Sequence, residues 1–290
     1  MSGIVVTGYA SLDHVIVLDG DVRAGCTTTI LSRPPKAWPR LGGGPAYVTQ
    51  SVARSFSGFV APISWIGGDG PGDLYLDQLR DSGVSVDGIA KVDGARTPVS
   101  VLAYDPHGDC AVLYDPGLPP SIVLTDAQRA LIRGADWIGV TIGPKIVTDE
   151  LLDIIRPEQK LAWVVKNDPR AITPEQVAAL VIRADLIFCN GRERAFLDSI
   201  REGIDRVRKD QILVETQGRL GAGFIRGSES RFVAAEPVDV TDPTGAGDTF
   251  AGGVIAAIMN GEKNLDVIGH TGNAAARKLL LERKSEETES

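Results

Sequence analysis

Cysteine and histidine are scarce in this chain of 290 residues. The cysteines are far apart and include no CxxC pair, and the histidines share no regular spacing. These six residues are Cys26, Cys110, Cys189, His14, His107 and His270. Zinc sites and dithiol redox sites need closely spaced ligands, so the sequence argues against both. A small, odd number of cysteines is also typical of proteins that work in a reducing cytoplasm.

Long apolar runs and an excess of positive charge are also missing. No stretch approaches the roughly 18 apolar residues of a membrane span, and the first residues, MSGIVVTGYA, lack the basic and apolar regions of a signal peptide. The net charge of −8 argues against a general nucleic-acid or membrane-surface binder, although it leaves room for a local cationic pocket. We therefore expect a cytoplasmic protein with neither nucleic acid nor membrane as a partner.

The hydrophobic pattern predicts a single α/β domain over residues 1–290. With 43% hydrophobic residues the chain can bury a sizeable core. From about residue 126, short apolar strands such as LAWVVKN alternate with helices such as TPEQVAALVI, which predicts a doubly wound, mostly parallel sheet flanked by helices. Two β-rich segments, 14–36 and 97–115, interrupt this pattern and are expected to form a small projecting sheet. The charged tail, 283–290, is expected to fray.

A glycine loop near the end of the chain, TDPTGAGDTF at 241–250, directly precedes an apolar helix rich in small residues. A helix N-terminus has about four unpaired backbone N–H groups and a partial positive charge. Glycines at that point let an anion approach the backbone closely. The loop therefore predicts an anion hole. It is neither a Walker loop, since the chain has no GxxxxGK[ST], nor a dinucleotide fingerprint, which would follow the first strand.

Asp248 ends this glycine loop and admits two interpretations. A carboxylate close to phosphate oxygens is repulsive unless it has a task, and one such task is to accept the proton of an alcohol that attacks phosphorus. Alternatively, Asp248 caps the helix, because aspartate is a favoured N-cap residue.

The longer string DPTGAGDTFAGG resembles the C-terminal signature of the ribokinase-like (PfkB) carbohydrate kinase family. The resemblance implies a ribokinase-like fold whose small β-sheet is a lid, and it implies that Asp248 is the catalytic base. It assigns the anion-hole amides to Gly245, Ala246 and Gly247. Asp242 and Thr244 stand where the family contacts phosphate and often an activating monovalent cation such as K⁺. An Asx-type turn before Pro243 is an alternative role for Asp242, and the two can coexist.

Two upstream motifs match the family's substrate-binding segments. GYASLD places Asp13 where the family binds substrate hydroxyls, and LGGGPAYVTQ places Gly42 and Gly43 against a sugar ring. Tyr47 stands where the family has an asparagine, so it either contacts substrate or packs in the core. Lys166, in WVVKNDPR, replaces a residue that is usually acidic or asparagine. A lysine in the cleft would favour an anionic substrate or the ATP phosphates, whereas the alternative is a surface lysine.

Further motifs match the family's nucleotide-binding side. NGRE resembles the NxxE motif, with Asn190 near the nucleotide and Glu193 acting on Mg²⁺ mostly through water. TQGRLGA resembles the nucleotide loop, and Asn273 falls where the last helices contact adenine, although small-residue helix packing would also explain it. The residues of that loop assigned to the nucleotide are Thr216, Gly218 and Gly221.

The combined motifs predict an ATP- and Mg²⁺-dependent kinase that phosphorylates a hydroxyl of a small sugar-like substrate, with Asp248 as general base. A nucleoside kinase is the alternative, supported by Tyr47 as a stacking ring. A non-catalytic ligand-binding regulator on the same fold is a third hypothesis. Because lid sheets expose edges and faces, we also expect a homodimer formed through the lid.

Overall fold

The computed structural model of the protein describes residues 3–201 and 208–288. These residues form the β-strands β1 (Gly3–Thr7), β2 (Ser11–Leu18), β3 (Ile30–Ser32), β4 (Arg40–Gly42), β5 (Phe59–Gly67), β6 (Ile89–Val92), β7 (Val99–Tyr104), β8 (Cys110–Asp115), β9 (Trp137–Val140), β10 (Lys160–Val164), β11 (Leu186–Asn190), β12 (Ile212–Thr216), β13 (Gly221–Arg226) and β14 (Glu229–Ala234). They also form the α-helices α1 (Gly44–Ala53), α2 (Gly70–Asp81), α3 (Asp126–Gly134), α4 (Lys145–Ile154), α5 (Pro174–Arg183), α6 (Gly191–Arg201), α7 (Ala246–Met259) and α8 (Leu265–Thr288). Within the described ranges, no helix combines the length and apolar character that a bilayer crossing requires.

The large sheet has nine strands in the order β14-β13-β12-β11-β10-β9-β1-β5-β6. The strands from β12 to β6 run parallel, and β13 and β14 add an antiparallel hairpin at one edge. All residues of β1 are buried, with Ile4 and Val6 facing one core and Val5 the other. The predicted doubly wound, mostly parallel sheet is confirmed.

Helices cover both faces of this sheet. Helices α3 to α6 contribute to the core on the side of Val5, and α1, α7 and α8 to the core on the side of Ile4. Gly252 of α7 faces α1, where an added Cβ would lie 2.5 Å from the Cβ of Ser51. Gly253 faces α8, where an added Cβ would lie 2.8 Å from the Cβ of Ala275. The paired glycines therefore let three helices meet closely, and they fix the position at which α7 begins.

The smaller sheet, called the lid sheet here, consists of β2, β3, β4, β7 and β8. The predicted segment 97–115 forms the antiparallel pair β7–β8, and the segment 14–36 contributes most of β2 and all of β3. The sequence did not predict β4, a three-residue strand that pairs with the start of β2. At the other end of the chain, the segment expected to fray is helical up to Thr288, while residues 289 and 290 lie outside the described part.

Candidate active site

The glycine loop leads into α7 through a residue with a left-handed backbone conformation. Gly245 is the N-cap of the helix with φ of +81°, a conformation that glycine adopts without strain. Its α-carbon lies against the ring of Tyr47, since an added Cβ would come within 2.5 Å of the ring carbon Cε1. The backbone N–H groups of the first turn, which begins at Ala246, therefore lack a side-chain cap.

Asp248 lies inside the first turn of α7 and does not cap it. The N-cap is Gly245 and no side chain bonds to it, so the capping interpretation of Asp248 is wrong. The carboxylate is buried, with 9% of the residue exposed, and its Oδ1 atom has no hydrogen-bond partner among residues 3–201 and 208–288. A buried acceptor without a donor is costly unless another group supplies one.

Lys166 points at this carboxylate from the segment that follows β10. Its Nζ lies 3.6 Å from Oδ1 of Asp248. The negative charge of Asp248, opposed by burial and assisted by Glu193, raises the pKa of Lys166 above its ordinary value. The lysine, whose side chain is 37% exposed, therefore lies beside Asp248 and carries a positive charge there.

The NxxE motif closes the same end of the site as a reciprocal cap on α6. The backbone N–H of Asn190 donates to Oε2 of Glu193 at 2.8 Å, and the N–H of Glu193 donates to Oδ1 of Asn190 at 3.0 Å. Burial raises the pKa of Glu193, and the charge of Lys166 opposes this shift. The motif therefore has a structural role, and it also brings a carboxylate into the electrostatic range of Lys166 and Asp248.

Asp13 lies on the lid side of the glycine loop, in β2. It is 4% exposed, and Tyr47 donates its hydroxyl proton to Oδ2 over 3.4 Å. The carboxylate rests on Gly42, where an added Cβ would lie 2.3 Å away. Burial raises the pKa of Asp13 to about 6, although Ser11 and Arg40 act in the opposite direction.

Tyr47 packs in the core and joins two parts of the site. Only 5% of the residue is exposed, its ring lies on Gly245, and its hydroxyl lies on Asp13. The ring therefore offers no open face on which a flat ligand could stack. Gly43, the N-cap of the same helix with φ of +88°, lets the chain pass the carbonyl oxygen of Tyr9, which an added Cβ would approach to 2.4 Å.

Arg40 is the member of the site that the sequence did not reveal. It comes from β4, pairs with Asp13 across the lid sheet, and forms a buried ion pair with Asp242. Burial alone would raise the pKa of Asp242, but the charge and hydrogen bond of Arg40 keep it below its ordinary value. A buried arginine in a short apolar strand is the only sequence signal, and nothing local indicates a partner 202 residues away.

A cavity of about 370 Å³ opens on the other side of the glycine loop. It is lined by the predicted nucleotide residues Thr216, Gly218, Gly221 and Asn273 together with Ala246 and Gly247. Asn273 also donates to the carbonyl oxygens of Val233 and Ala234 at 3.3 and 3.1 Å. The predicted nucleotide residues of the loop and α8 thus share one cavity with the first residues of α7, whereas Asn190 is not among its lining residues.

Asp69, at the start of α2, has a scaffold role. It caps α2 by accepting the N–H of Gly72 at 2.9 Å and also accepts the backbone N–H of Thr97 at 2.9 Å. These bonds fix the segment just before β7 to the start of α2. Asp69 therefore connects the lid sheet to the part of the molecule built around the large sheet.

Comparison with known proteins identifies the family of the chain. Residues 1–289 match the model of the pfkB family carbohydrate kinases. The chain is 30% identical over 261 residues to the ATP-dependent ribose-1-phosphate kinase of Halopiger xanaduensis, covering 88% of this chain and 84% of that protein.

Solved structures show the same fold. The nucleoside kinase of Methanocaldococcus jannaschii superposes with a TM-score of 0.78 at 17% identity, covering 95% of this chain and 90% of its own. The ribokinase of Cryptococcus neoformans, in complex with ADP, superposes with a TM-score of 0.76 at 23% identity, covering 95% and 93%. The predicted fold and family are confirmed. The family also confirms the predicted enzyme class, a phosphotransferase with an alcohol group as acceptor. The chain therefore belongs to the pfkB family of carbohydrate kinases.

Proposed function

We propose that the protein transfers the γ-phosphoryl group of ATP to a hydroxyl of a small sugar-like substrate, with Asp248 as the general base. The observation that carries this proposal is the buried Oδ1 of Asp248, which lies 3.6 Å from the ammonium group of Lys166 and accepts no hydrogen bond from the described residues. An ionised carboxylate only accepts hydrogen bonds, and an acceptor hydroxyl would supply the missing donor. The same contact would let the carboxylate take the proton as the oxygen attacks phosphorus.

The start of α7 would stabilise the charge that develops on the transferred group. The backbone N–H groups of Gly245, Ala246 and Gly247 lie at the positive end of the helix, and Ala246 and Gly247 line the cavity assigned to ATP. The ammonium group of Lys166 adds a full positive charge next to the base. Glu193 is a suitable group to hold Mg²⁺ through water, and bound Mg²⁺ would neutralise phosphate charge.

Asp13 is the residue we assign to the acceptor. Its two carboxylate oxygens can accept from two neighbouring hydroxyls, which suits a sugar. Gly42 and Gly43 keep the adjacent backbone free of side chains. The nucleoside alternative loses its main support, because the ring of Tyr47 is buried. A phosphorylated sugar is favoured as a second candidate by Lys166 in the site and by the substrate named for the Halopiger relative.

Acceptor affinity is expected to fall as the pH drops through about 6, because Asp13 is then protonated. In the wild type, protonation of Asp13 should raise the KM of the acceptor as the pH falls. In Asp13→Asn the KM should be high at every pH. Stability should change in the opposite sense: the raised pKa means that the free energy of unfolding falls as pH rises towards 6. Initial rates and urea melts at a series of pH values check both, and an Asp13→Asn variant with the wild-type pH dependence of KM would contradict the assignment.

Lys166→Met is expected to distinguish the two acceptor classes. If Lys166 binds a phosphate on the acceptor, kcat/KM should fall about 10–100-fold for the sugar phosphate, since hydrogen bonds to charged groups contribute about 1.5–3 kcal/mol. Unphosphorylated sugars should be affected less. Lys91→Met, which breaks an exposed pair with Asp73, is the matched control. Equal losses for both acceptors would instead assign Lys166 to ATP or to the base.

The proposal itself is tested by measuring ADP formation with sugars, sugar phosphates, polyols and nucleosides as acceptors. Turnover with a sugar or a sugar phosphate supports it, whereas turnover restricted to nucleosides would overturn the acceptor assignment. Tight acceptor binding without turnover for any compound would favour the regulator hypothesis.

We also propose a homodimer formed through the lid sheet. The residues Ile30, Leu31, Val112, Leu113 and Tyr114 are large, apolar and exposed, all on β3 and β8. Light scattering at micromolar concentration checks this, and a monomer would contradict it.

The three free cysteines further support a reducing compartment such as the cytoplasm. Fractionation of cells is the measurement for that point, and recovery outside the cytoplasm would refute it.

A further inference from the structure

Asp242, which the family resemblance assigns to a monovalent cation, has both carboxylate oxygens engaged by protein donors. Oδ2 forms the buried ion pair with the guanidinium of Arg40. Oδ1 accepts the hydroxyl of Tyr104 at 2.9 Å and the backbone N–H of Thr244 at 3.0 Å. The Arg40 and Asp242 side chains are 6% and 8% exposed. A metal cation at this carboxylate would meet a like charge already in contact with it, so these residues do not fit the cation.

Two carboxylates lie near the positive charge of Arg40. Asp242 is its direct partner, and Asp13 lies across the β2–β4 pair within electrostatic range. Further ionisable groups face this region from several elements, namely Tyr47, Tyr104, Cys110, Arg283 and Glu286. Arg40 is thus the direct partner of Asp242 and also lies near Asp13. A buried carboxylate at Asp242 without a positive partner would be strongly destabilising.

Asp242 connects this charge to the anion hole through short bonds. Its Oδ1 holds the N–H of Thr244, whose hydroxyl also hydrogen-bonds to Tyr104 of β7. The next residues continue the chain of bonds, since the N–H of Ala246 donates to the carbonyl oxygen of Pro243 at 3.1 Å. A change at Asp242 would therefore move the loop that presents the amides of α7.

We propose that the guanidinium of Arg40 replaces the activating monovalent cation in this kinase. Arg40 is a positioning residue: it neutralises Asp242, and Asp242 in turn fixes the glycine loop in the conformation that exposes the amides. The enzyme is accordingly independent of K⁺. The rate measurements that test this inference rest on the proposed phosphoryl transfer. The melting measurements do not, because they report cation binding without turnover.

The first experiment uses the wild-type protein. ADP formation is followed while K⁺ or NH₄⁺ replaces tetramethylammonium at constant ionic strength, and thermal melting is followed in the same buffers without substrates. We expect rates within about twofold, since screening is held constant, and no saturable shift of the melting temperature. A saturable stimulation well beyond twofold, or a K⁺-specific rise in melting temperature, would overturn the proposal.

The second experiment removes the internal charge. Arg40→Ala leaves Asp242 without its cation and creates space beside it. We expect kcat to fall about 10–100-fold, as for other groups that orient a functional residue indirectly. K⁺ should then restore part of the rate and raise the melting temperature, which a merely structural arginine would not produce. A variant whose rate and melting temperature ignore K⁺ would refute the replacement.

Two further variants keep the outcome interpretable. Arg80→Ala removes an exposed arginine paired with Asp77 on α2 and should respond to K⁺ no more than the wild type. Arg40→Lys retains the charge, and it should fold and remain K⁺-independent even if Arg40→Ala does not fold. An Arg40→Lys protein that requires K⁺ would contradict the proposal. If no acceptor is turned over, the melting experiments still decide the cation question, so the two proposals fail separately.

Discussion

Asp248→Asn is expected to lower kcat by about 10²–10⁴-fold, the range that positioned acid–base groups contribute. This corresponds to about 3–5 kcal/mol of transition-state stabilisation. An amide has nearly the size of a carboxylate but cannot take up the proton of the acceptor. Because the amide has the shape of the carboxylate and the only charge contact it removes in the described part of the chain is the 3.6 Å pair with Lys166, the fold should be retained with at most a modest change of melting temperature. Steady-state kinetics and thermal melting measured together distinguish lost chemistry from lost structure.

Asp77→Asn provides the control for this result, since Asp77 is an exposed aspartate of α2 remote from the glycine loop. It should retain wild-type kcat. The KM of ATP in Asp248→Asn should stay close to that of the wild type, because the nucleotide cavity is formed by other residues. Turnover of Asp248→Asn within a few-fold of the wild type would eliminate Asp248 as the base and leave the anion hole as the main source of catalysis.

Gly245→Ala is expected to cause the second largest change, in both stability and activity. A non-glycine residue at φ of +81° costs about 1–2 kcal/mol. The new Cβ would also lie 2.5 Å from the ring of Tyr47, and this ring cannot withdraw because it is buried. We expect a loss of about 2–4 kcal/mol in the free energy of unfolding. The displaced amides should lower kcat/KM by about 100-fold, the cost of an ångström-scale misplacement.

Gly247→Ala is the matched control for stability. It lies two residues later, and an added Cβ meets no atom within 4 Å. Since alanine is about 1 kcal/mol better than glycine in a helix, this variant should melt at or above the wild-type temperature. Chemical denaturation of both variants measures the difference. Equal stability of Gly245→Ala and wild type would show that Tyr47 and the loop adapt, contrary to the packing described above.

The sequence predicted the parts of the site that depend on a continuous motif. The glycine loop, Asp248 and the nucleotide loop are local patterns, and their relation to helix and strand ends follows from backbone chemistry. The alternation of strands and helices likewise predicted the large sheet. The capping interpretation of Asp248 was wrong, because the N-cap is the left-handed Gly245, three residues earlier.

Other features depend on contacts between distant segments and left no local pattern. Arg40 and Asp242 come together only when the lid sheet docks on the glycine loop. Strand β4 is three residues long and too short for a periodic signal. The burial of Tyr47 depends on Gly245, a residue almost 200 positions away. The resemblance suggested a metal ion at Asp242, and only the folded chain shows that an arginine is already there.

The distance in sequence between Arg40 and Asp242 has a consequence for biosynthesis. The two residues are 202 positions apart, and a ribosome that adds about 5–20 residues per second makes the arginine roughly 10–40 s before its partner. Until then a docked β4 would bury the charge of Arg40 without its partner, and this cost opposes the gain from packing Leu41 in the core. We expect the lid sheet to stay solvated on the nascent chain and to close only after the glycine loop emerges. Assembly of the active site is then expected among the last steps of folding.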